Sequence, residues 1–551
     1  MADQTFDVVI VGGGNKALIA AMYLTKYGKL TVGIFEERHE LGGGWCQEEP
    51  AAGFMANPCS HYHCGFYHIP TYWDFPEWKD YGARYDYSPS PAGCAFKEDD
   101  SCLLMYSAFE DVDPTQEKTA AEIARFSEQD AETYLQLWNN CQKHWEPAIL
   151  EHFFNPAQPM NTPDALERMI RNPESGIDPV WMYMSELQVM KDLFVDPHVR
   201  HAFIRLNQSL GFEADLALGG LGSLINTMWY WPLGCWAKGS SHVLTHASHK
   251  VILENGGKIF TNHAVEKVLI ENGRATGIRL ADGVEIKATR AVVTTIDPYQ
   301  LCIDLIGKEH LPPLVVRRVE NLERDWIALM WYTWALKEPP EYKCEQWNPD
   351  ARYCQDLALS DMDMSTFVIE DCERRIYQWP SKLNMVTCYH GVSETSKGDS
   401  LLAPADSNFT CLTEQFVVPA WSLSDAEWKK RERQHAEEVV KLWGEYTTNM
   451  NWDNVSGYIA VTPNYTANQC RNFAPAGNWC IIDNVPAQYG KVRPIPELAG
   501  HRVPGIKGLY PTGSAWHPWG AAHSAQGYNC YKVMADDLGL AKPWEKAGRP
   551  F

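Results

Sequence analysis

FDVVIVGGGNKALIAAMYLTKYGKLTVGIFEE, residues 6–37, is the stretch that decides the fold. It opens with an apolar run of strand length, turns at three glycines and continues with a helical spacing of apolar residues. A second strand then ends in Glu36 and Glu37. Strand, glycine turn, helix, strand and acid in this order are typical of a dinucleotide-binding βαβ unit. A glycine-rich turn in another kind of α/β protein is the alternative, but it does not explain why an acid stands at the end of the second strand.

Four positions of this stretch have a physical role in nucleotide binding. Gly12 allows the tight turn, Gly14 lets the backbone approach a pyrophosphate, and Ala17 is small enough for the helix to pack on the strand. The N–H groups at the start of the helix then face the phosphates. Glu36 follows Gly14 by 22 positions, close to the spacing of an acid that holds ribose hydroxyls. An acid there also disfavours the 2′-phosphate of NADP.

A second glycine cluster follows the acid. Residues 38–45 read RHELGGGW, which goes beyond a plain NAD-binding fingerprint. With this cluster the chain resembles the flavoprotein superfamily that holds phytoene desaturases, amine oxidases and the Rab GDP-dissociation inhibitors. The resemblance implies FAD as the cofactor, with the acid and the double-glycine turn on its ribose and diphosphate. The FAD contacts predicted in this half of the chain are Gly12, Gly14, Asn15, Ala17, Glu36, Gly43, Gly44 and Trp45.

Two later segments resemble the phytoene desaturase and carotenoid isomerase branch. Residues 254–297 alternate short strands with Asn-Gly and Asp-Gly turns, which predicts a small antiparallel sheet. The resemblance implies that its strand around Val265 reaches the adenine end of FAD. Residues 505–529 read GIKGLYPTGSAWHPWGAAHSAQGYN, and here the resemblance implies a turn on the ribityl diphosphate and a loop under the isoalloxazine ring. The contacts implied by these two segments are Val265, Gly513, Ser514, Gly520, Ala521 and Ala522.

The chain departs from the family pattern in two places. Asn15-Lys16-Ala17 stands where His-Asn-Gly is common, which is a modest change at the pyrophosphate. Trp519 and Ala521 stand in the loop that faces the flavin, where smaller or different residues are common. The second change could reshape the catalytic face, so the resemblance does not by itself define the reaction.

The fold class that follows is α/β, with an interrupted Rossmann-like FAD-binding domain and an inserted α+β substrate domain. At 551 residues the chain is long enough for two domains. The motifs assign residues 1–95, 238–298 and 483–551 to the FAD-binding domain. Residues 96–237 and 299–482 are then predicted to form the substrate domain.

Composition and charge exclude some classes of function. The net charge of −22 opposes binding to the phosphate backbone of nucleic acids. The first residues carry no signal-peptide pattern, and the longest apolar run is too short to span a bilayer. Sixteen cysteines without a repeated spacing are typical of reduced thiols. We therefore expect a cytoplasmic protein, and leave open a peripheral membrane contact, an oligomer and a partner that accepts electrons.

Histidines near the predicted flavin loops are the candidates for acid–base catalysis. His61 and His63 lie in the stretch CSHYHC, residues 59–64, and His517 lies in the C-terminal motif; histidine titrates near neutral pH. On a strand, His61 and His63 would share one face and the two cysteines would be split between faces, so we predict no metal site. A structural hydrogen-bonding role is the alternative for each histidine.

The predicted function is that of an FAD-dependent dehydrogenase or desaturase. Twenty-two tryptophans, some of them clustered in residues 228–236, favour a cavity for a lipophilic, terpenoid- or carotenoid-like substrate, although each could simply fill the core. The reaction would remove a hydride from an activated, allylic carbon in desaturation, allylic oxidation or isomerisation. A flavin amine oxidase and a non-catalytic binding protein of the GDP-dissociation-inhibitor type are the alternatives.

Overall fold

The structure is a computed structural model that describes residues 4–389 and 409–551. Within these residues the strands are β1 (Thr5–Val11), β2 (Val32–Phe35), β3 (Glu48–Ala51), β4 (Phe54–Ala56), β5 (His63–Cys64), β6 (Tyr85–Asp86), β7 (Ser90–Phe96), β8 (Cys102–Met105), β9 (Gly234–Ala237), β10 (Lys258–Phe260), β11 (Val265–Glu271), β12 (Arg274–Leu280), β13 (Glu285–Thr294), β14 (Leu329–Leu336), β15 (Cys354–Ser360), β16 (Met385–Tyr389), β17 (Phe409–Phe416), β18 (Val455–Val461) and β19 (Leu509–Pro511). The α-helices are α1 (Asn15–Lys26), α2 (Ile69–Asp74), α3 (Glu77–Asp80), α4 (Glu117–Ala124), α5 (Glu128–Asn140), α6 (Glu146–Phe153), α7 (Ala165–Arg171), α8 (Glu186–Leu193), α9 (Pro197–Ser209), α10 (Gly220–Ile225), α11 (His242–Glu254), α12 (Pro313–Glu320), α13 (Ser365–Arg375), α14 (Asp425–Tyr446), α15 (Pro463–Gln469), α16 (Ala525–Leu538) and α17 (Pro543–Lys546).

The first sheet joins strands from both ends of the chain. Strands β10, β2, β1, β13 and β19 run parallel to their neighbours, while β12 and β11 continue the sheet as an antiparallel meander beside β13. The last residues of β13 pair with β1 on one side and with β19 on the other. Strands in such a parallel sheet are buried on both faces, which is why β1 and β2 are nearly continuous apolar runs. The predicted α/β fold class is confirmed.

The second sheet is built from the segments between the dinucleotide-binding strands. Within the described residues its order is β18-β14-β17-β16-β15-β7-β8, and every pairing is antiparallel except that of β15 with β7. Strand β14, buried along its whole length, comes from the longest apolar run of the sequence. Because β7 begins at Ser90, the domain boundary predicted at residue 95 falls inside a strand of this second sheet.

Helices α1 and α16 pack against each other at a glycine. A Cβ atom added at Gly527 in α16 would lie 2.5 Å from the carbonyl oxygen of Lys16 and 2.9 Å from the Cβ of Ile19, both in α1. The Lys16 ammonium also donates a hydrogen bond to the carbonyl oxygen of Ala521 in the loop before α16. These contacts hold the C-terminal loop against the glycine turn that precedes α1.

Gly527→Ala should destabilise the protein, because the added methyl group would meet backbone and buried atoms of α1. We expect a loss of about 1–3 kcal/mol in the free energy of unfolding, the range for overpacking a close contact. Gly500→Ala is the matched control, since a Cβ there meets nothing within 4 Å. Urea unfolding followed by circular dichroism measures both variants, and equal stabilities would contradict the close packing of α1 and α16.

Candidate functional site

A cleft of about 260 Å³, here called the dinucleotide cleft, lies at the carboxyl ends of the parallel strands. Five of the predicted FAD contacts line it, namely Gly12, Gly14, Glu36, Gly43 and Val265. The meander thus forms one wall of the cleft, and the glycine turns form the other. Open α/β sheets bind their ligands outside the carboxyl ends of the strands, so the cleft has the position expected for a nucleotide.

The two glycine turns form a cradle that has no side chains. Gly14 is extended, with φ −66° and ψ 169°, and a Cβ atom added there would meet nothing within 4 Å and would project into open space. The Asn15 amide donates to Gly42 O at 3.1 Å, and the Gly42 amide donates to Gly13 O at 2.9 Å, so the turns lie side by side. The first turn of α1 carries no acidic residue, and its N–H groups lack partners within the helix. This donor set fits the pyrophosphate of a dinucleotide.

Glu36 is fixed in the wall of the cleft by backbone donors. Its Oε2 accepts the Gly13 amide at 2.6 Å, and its Oε1 accepts the Arg38 amide at 2.9 Å. The carboxylate is thus held beside the glycine turn, and it lines the same cleft as the meander residue Val265. A carboxylate held there fits the hydroxyl groups of a ribose.

A second space of about 90 Å³, here called the central cavity, lies beside the cleft and reaches the second sheet. Sequence neighbours line the two spaces: Gly14 and Gly43 line the cleft, while Asn15 and Gly44 line the cavity. The C-terminal motif contributes Ser514, Ala521 and Ala522 to the cavity wall. The second sheet contributes Leu329, Trp331, Asp356, Val386 and Glu414. Segments from both ends of the chain thus meet at the central cavity, beside the dinucleotide cleft.

The remaining predicted contacts, Ala17, Trp45, Gly513 and Gly520, line neither space. The Trp45 side chain is buried and packs against Trp78, with 6.3 Å between the ring centroids. A Cβ atom at Gly520 would lie 2.7 Å from the Arg493 guanidinium, so glycine is needed there for packing. These residues therefore pack beneath the loops and support them, and they do not form part of the cleft or cavity walls.

On a strand over residues 59–64, His61 and His63 would share one face, but only the last two of these residues form a strand. Only β5 (His63–Cys64) is extended and paired, with β9. The preceding residues follow the glycine loop instead, because the Ser60 amide donates to Gly44 O at 3.2 Å. His61 and His63 consequently do not share a face. His61 lines the central cavity, with its Nε2 3.6 Å from Glu414 Oε2, whereas His63 is fully buried beside β9.

His517 lies outside the central cavity. Its ring is buried, and its Nε2 is 3.0 Å from the carbonyl oxygen of His152. Burial lowers the pKa of His517 to about 3. An imidazole that is neutral over the whole physiological range and bound to a backbone carbonyl fits the structural role that was the alternative for this residue.

Three further residues at the site were not found from the sequence. Lys16 is buried at the start of α1, and its burial lowers its pKa to about 7. In the sequence, the only sign of a special role for Lys16 was that residues 15–17 depart from the family pattern. Asp356 and Glu414 belong to no sequence motif. They reach the cavity because strands that are distant in the sequence pair with each other. Among the described residues, the donor atoms of His61, Asp356 and Cys388 lie within 4.8 Å of one another, close enough to surround one cation.

A larger apolar space of about 450 Å³, here called the outer cavity, adjoins the central cavity. Tyr230 lines both spaces, and its ring centroid lies 5.4 Å from that of Trp519 in the C-terminal loop. Residues 226–230 form a single π-helical turn, an irregularity that changes the direction of the side chains after it. Met160, Met182 and Leu218 line the outer cavity and are exposed to solvent, so the cavity opens at an apolar rim.

Comparison with known proteins agrees with this geometry. Residues 10–84 match the family of NAD(P)-binding Rossmann-like domains. The sequence is 24% identical to one of the subunits of limonene dehydrogenase from Castellaniella defragrans, over 98% of this chain and 96% of that protein. Among solved structures, an oxidoreductase from Methanosarcina mazei has a TM-score of 0.58 at 15% identity, covering 96% of this chain and 99% of its own. Putrescine oxidase bound to putrescine has a TM-score of 0.57 at 13% identity, covering 97% and 99%.

The chain therefore shares its fold with solved oxidoreductases and with putrescine oxidase, and residues 10–84 form a Rossmann-like domain. The comparisons do not single out the phytoene desaturases. This relative and these solved structures are dehydrogenases, oxidases or oxidoreductases. In the described part of the chain, no helix has both the length and the apolar character that crossing a membrane requires.

Gly14→Val should prevent cofactor binding and leave the fold intact. The extended backbone at Gly14 accepts a side chain, and the valine methyl groups would fill the space in front of the helix N-terminus. We expect at least about a tenfold loss of affinity for the dinucleotide, because the phosphates could no longer reach the amides. Cofactor absorbance per chain after gel filtration measures binding, and a variant that retains the full wild-type absorbance would contradict the assignment of the cradle. Gly500→Ala is the control.

Proposed function

We propose that this chain is an FAD-dependent dehydrogenase that removes a hydride from an activated, allylic carbon of a lipophilic, terpenoid-like substrate. The observation that carries the proposal is that consecutive residues of the two glycine turns line the dinucleotide cleft and the central cavity, whose other wall is the second sheet. Whole-length similarity to a protein named as part of a limonene dehydrogenase supports a terpenoid as the substrate.

The residues that line these two neighbouring spaces would hold the two halves of FAD. Gly14, Glu36 and Gly43 would bind its nucleotide half, and Ser514 with residues 521–522 would lie along its flavin half. When bound, the flavin supplies a two-electron acceptor for the hydrogen on the substrate carbon. The protein positions that carbon and excludes water from it.

The surroundings of the cavity favour an apolar substrate. Tyr230 lines both the central cavity and the outer cavity, whose lining is largely apolar, and its ring packs against that of Trp519 in the outer cavity. A lipophilic molecule would reach the flavin past these two rings. The exposed Met160, Met182 and Leu218 would receive it at the protein surface, and this rim is also where a peripheral membrane contact would form.

A flavin amine oxidase is the second candidate. The observation in its favour is the pair of carboxyl groups, Asp356 and Glu414, in the central cavity, where an ionised carboxylate would attract an ammonium group. Burial raises the pKa of Asp356 to about 8, so this carboxyl group is largely neutral near pH 7, and burial also raises the pKa of Glu414. A neutral carboxyl group favours an uncharged substrate over a cation.

A non-catalytic binding protein is less well supported than either enzyme. Such a protein needs no flavin, so we would expect the residues of its C-terminal glycine turn to be replaced by others. In this chain the turn Thr512-Gly513-Ser514 is intact. The sequence contains no second dinucleotide fingerprint. We therefore propose an external electron acceptor, namely oxygen, a quinone or a carrier protein. The relative is named as one subunit of an enzyme, which is compatible with a partner chain.

Anaerobic mixing of the flavin-loaded protein with limonene, β-carotene, geraniol and putrescine tests the proposed function. We expect the terpenoid hydrocarbons to bleach the flavin absorbance, because the cavity presents an apolar wall and a carboxyl group, that of Asp356, which is largely neutral near pH 7. Photoreduction of the same sample is the control for a reducible flavin. Bleaching by putrescine alone would contradict a hydrocarbon substrate and favour the amine oxidase.

Denaturing the protein should release the yellow colour from the polypeptide. Cys480 and Cys530 are the cysteines nearest the C-terminal motif in the sequence, and both are fully buried. The Cys480 thiol donates to Gly520 O at 3.2 Å, so it is engaged in packing. Acid precipitation followed by absorbance of the supernatant measures the release, and colour in the pellet would indicate a covalent flavin.

A further inference from the structure

A buried ammonium group lies between the two loops that would hold FAD. Lys16, the second residue of α1, is only 1% exposed, and its Nζ donates a hydrogen bond to the carbonyl oxygen of Ala521. Ala521 lines the central cavity, and so does Asn15, which directly precedes Lys16. Lys16 itself lines neither the central cavity nor the dinucleotide cleft. Its ammonium group therefore lies behind the wall of the central cavity, on the side of the C-terminal loop.

This ammonium group has no carboxylate partner among the described residues. The ionisable groups that interact with it are the thiols of Cys59 and Cys480 and the imidazoles of His68 and His523. All four are uncharged near pH 7, because burial raises the pKa of the thiols and lowers that of the imidazoles. A buried charge without a counter-charge costs free energy. A ligand that brings negative charge to this loop would supply the missing partner.

A second buried cation lies under the same loop. The Arg493 guanidinium is fully buried and donates hydrogen bonds to the carbonyl oxygens of Ser514, Gln488 and Cys480. Burial lowers the pKa of Arg493 to about 10, so the group stays charged at neutral pH. Among the described residues the carboxyl group that interacts with it is that of Asp483, whose pKa burial raises to about 7. The C-terminal loop thus has two cations beneath it and little negative charge to balance them.

The position of Lys16 favours the flavin half of FAD over its diphosphate. The proposed diphosphate site is the glycine cradle of the dinucleotide cleft, whose lining does not include Lys16. The hydrogen bond to Ala521 instead directs the Lys16 side chain to the loop that the flavin half would follow. The flavin half also gains charge in the reaction. A hydride carries two electrons and one proton, so its transfer adds one negative charge to the flavin, whereas the charge of the diphosphate does not change.

We propose that Lys16 raises the reduction potential of bound FAD, because its ammonium group is the counter-charge for the negative charge that the flavin gains with a hydride. This inference rests on the proposed function, since FAD is the ligand and hydride transfer is the reaction. Lys16 acts through its charge and does not need to touch the ring, because charges interact strongly across a buried protein interior. A flavin of higher potential takes a hydride from an unactivated or weakly activated carbon more readily.

The same shift restricts the external electron acceptor. A reduced flavin that is stabilised by a positive charge gives its electrons only to an acceptor of still higher potential. NAD(P) is a low-potential acceptor and is therefore a poor match, in agreement with the single dinucleotide fingerprint of the sequence. Oxygen, a quinone or a carrier protein of high potential meets this requirement.

The reduction potential of bound FAD tests this role without any substrate. The FAD-loaded protein is reduced slowly by xanthine and xanthine oxidase beside a reference dye, and absorbance gives the oxidised and reduced fractions of both. We expect the wild-type potential to lie above that of free FAD. Lys16→Gln keeps a hydrogen-bond donor and loses the charge. Its potential should fall by at least about 30 mV, which is a tenfold change in the equilibrium constant of a two-electron couple.

Two further variants separate the charge of Lys16 from its hydrogen bond and from net charge. Lys16→Arg keeps the positive charge, so it should keep the wild-type potential. Lys287→Gln makes the same change in net charge as Lys16→Gln, but Lys287 is exposed on β13 opposite Thr5, at the far end of β1 from the glycine turn. Solvent and salt screen a charge there, so this variant should also keep the wild-type potential. Flavin fluorescence gives the affinity of each variant for oxidised FAD.

Several outcomes would overturn the assignment of Lys16. A wild-type potential at or below that of free FAD would do so, even if every variant failed to fold. An unchanged potential in Lys16→Gln would do so too, and a weaker affinity for oxidised FAD in that variant would then assign the ammonium group to the diphosphate. An equal fall in Lys16→Arg and Lys16→Gln would show that the charge is not responsible.

Failure of this inference can be told apart from failure of the proposed function. A chain that binds no FAD overturns both. A raised potential that depends on the Lys16 charge, in a flavin that no compound of the panel reduces, supports the inference and overturns the proposed substrate class alone.

Discussion

The close approach of α1 and α16 at Gly527 is the contact on which the site depends. Each helix begins directly after a loop that can bind a cofactor, the glycine turn in one case and the C-terminal motif in the other. Because a glycine allows the helices to touch, both loops reach the same space, and Lys16 bridges them through the carbonyl oxygen of Ala521. Strand β13, paired with β1 and β19, holds the same two chain ends together within the sheet.

The second sheet determines what kind of chemistry this space can host. Among the described residues, its face at the central cavity combines aliphatic and aromatic side chains with two carboxyl groups and has no lysine or arginine. Burial in this cavity raises the pKa of Asp356 to about 8, so its carboxyl group largely keeps its proton at neutral pH. The outer cavity, which meets the central cavity at Tyr230, extends the apolar surroundings to the protein surface.

Features that are local in the chain could be predicted from the sequence. The βαβ unit, Gly14 and Glu36 depend on spacings within some thirty residues, and the structure brings them to one cleft. The meander with Val265 and the turn with Ser514 were predicted through resemblance, since no local rule connects them to that cleft. The α/β class followed from the same local patterns.

Features that depend on tertiary contacts could not be predicted. Asp356 and Glu414 lie in strands far apart in the sequence, and only their pairing with β16 brings them together. His517 looked catalytic because it lies within the C-terminal motif, but its ring turns to the carbonyl oxygen of His152. The segment before His63 alternates like a strand, yet the amide of Ser60 bonds to the glycine loop and not to a sheet.

A crystal structure of the protein grown with FAD tests the central claim most directly. We predict one FAD molecule per chain, with its diphosphate at the amides after Gly14, its ribose at Glu36 and its ring beside Ser514 and Ala522. An FAD bound elsewhere, or density for FAD that touches only one of the two chain ends, would contradict a site built from both.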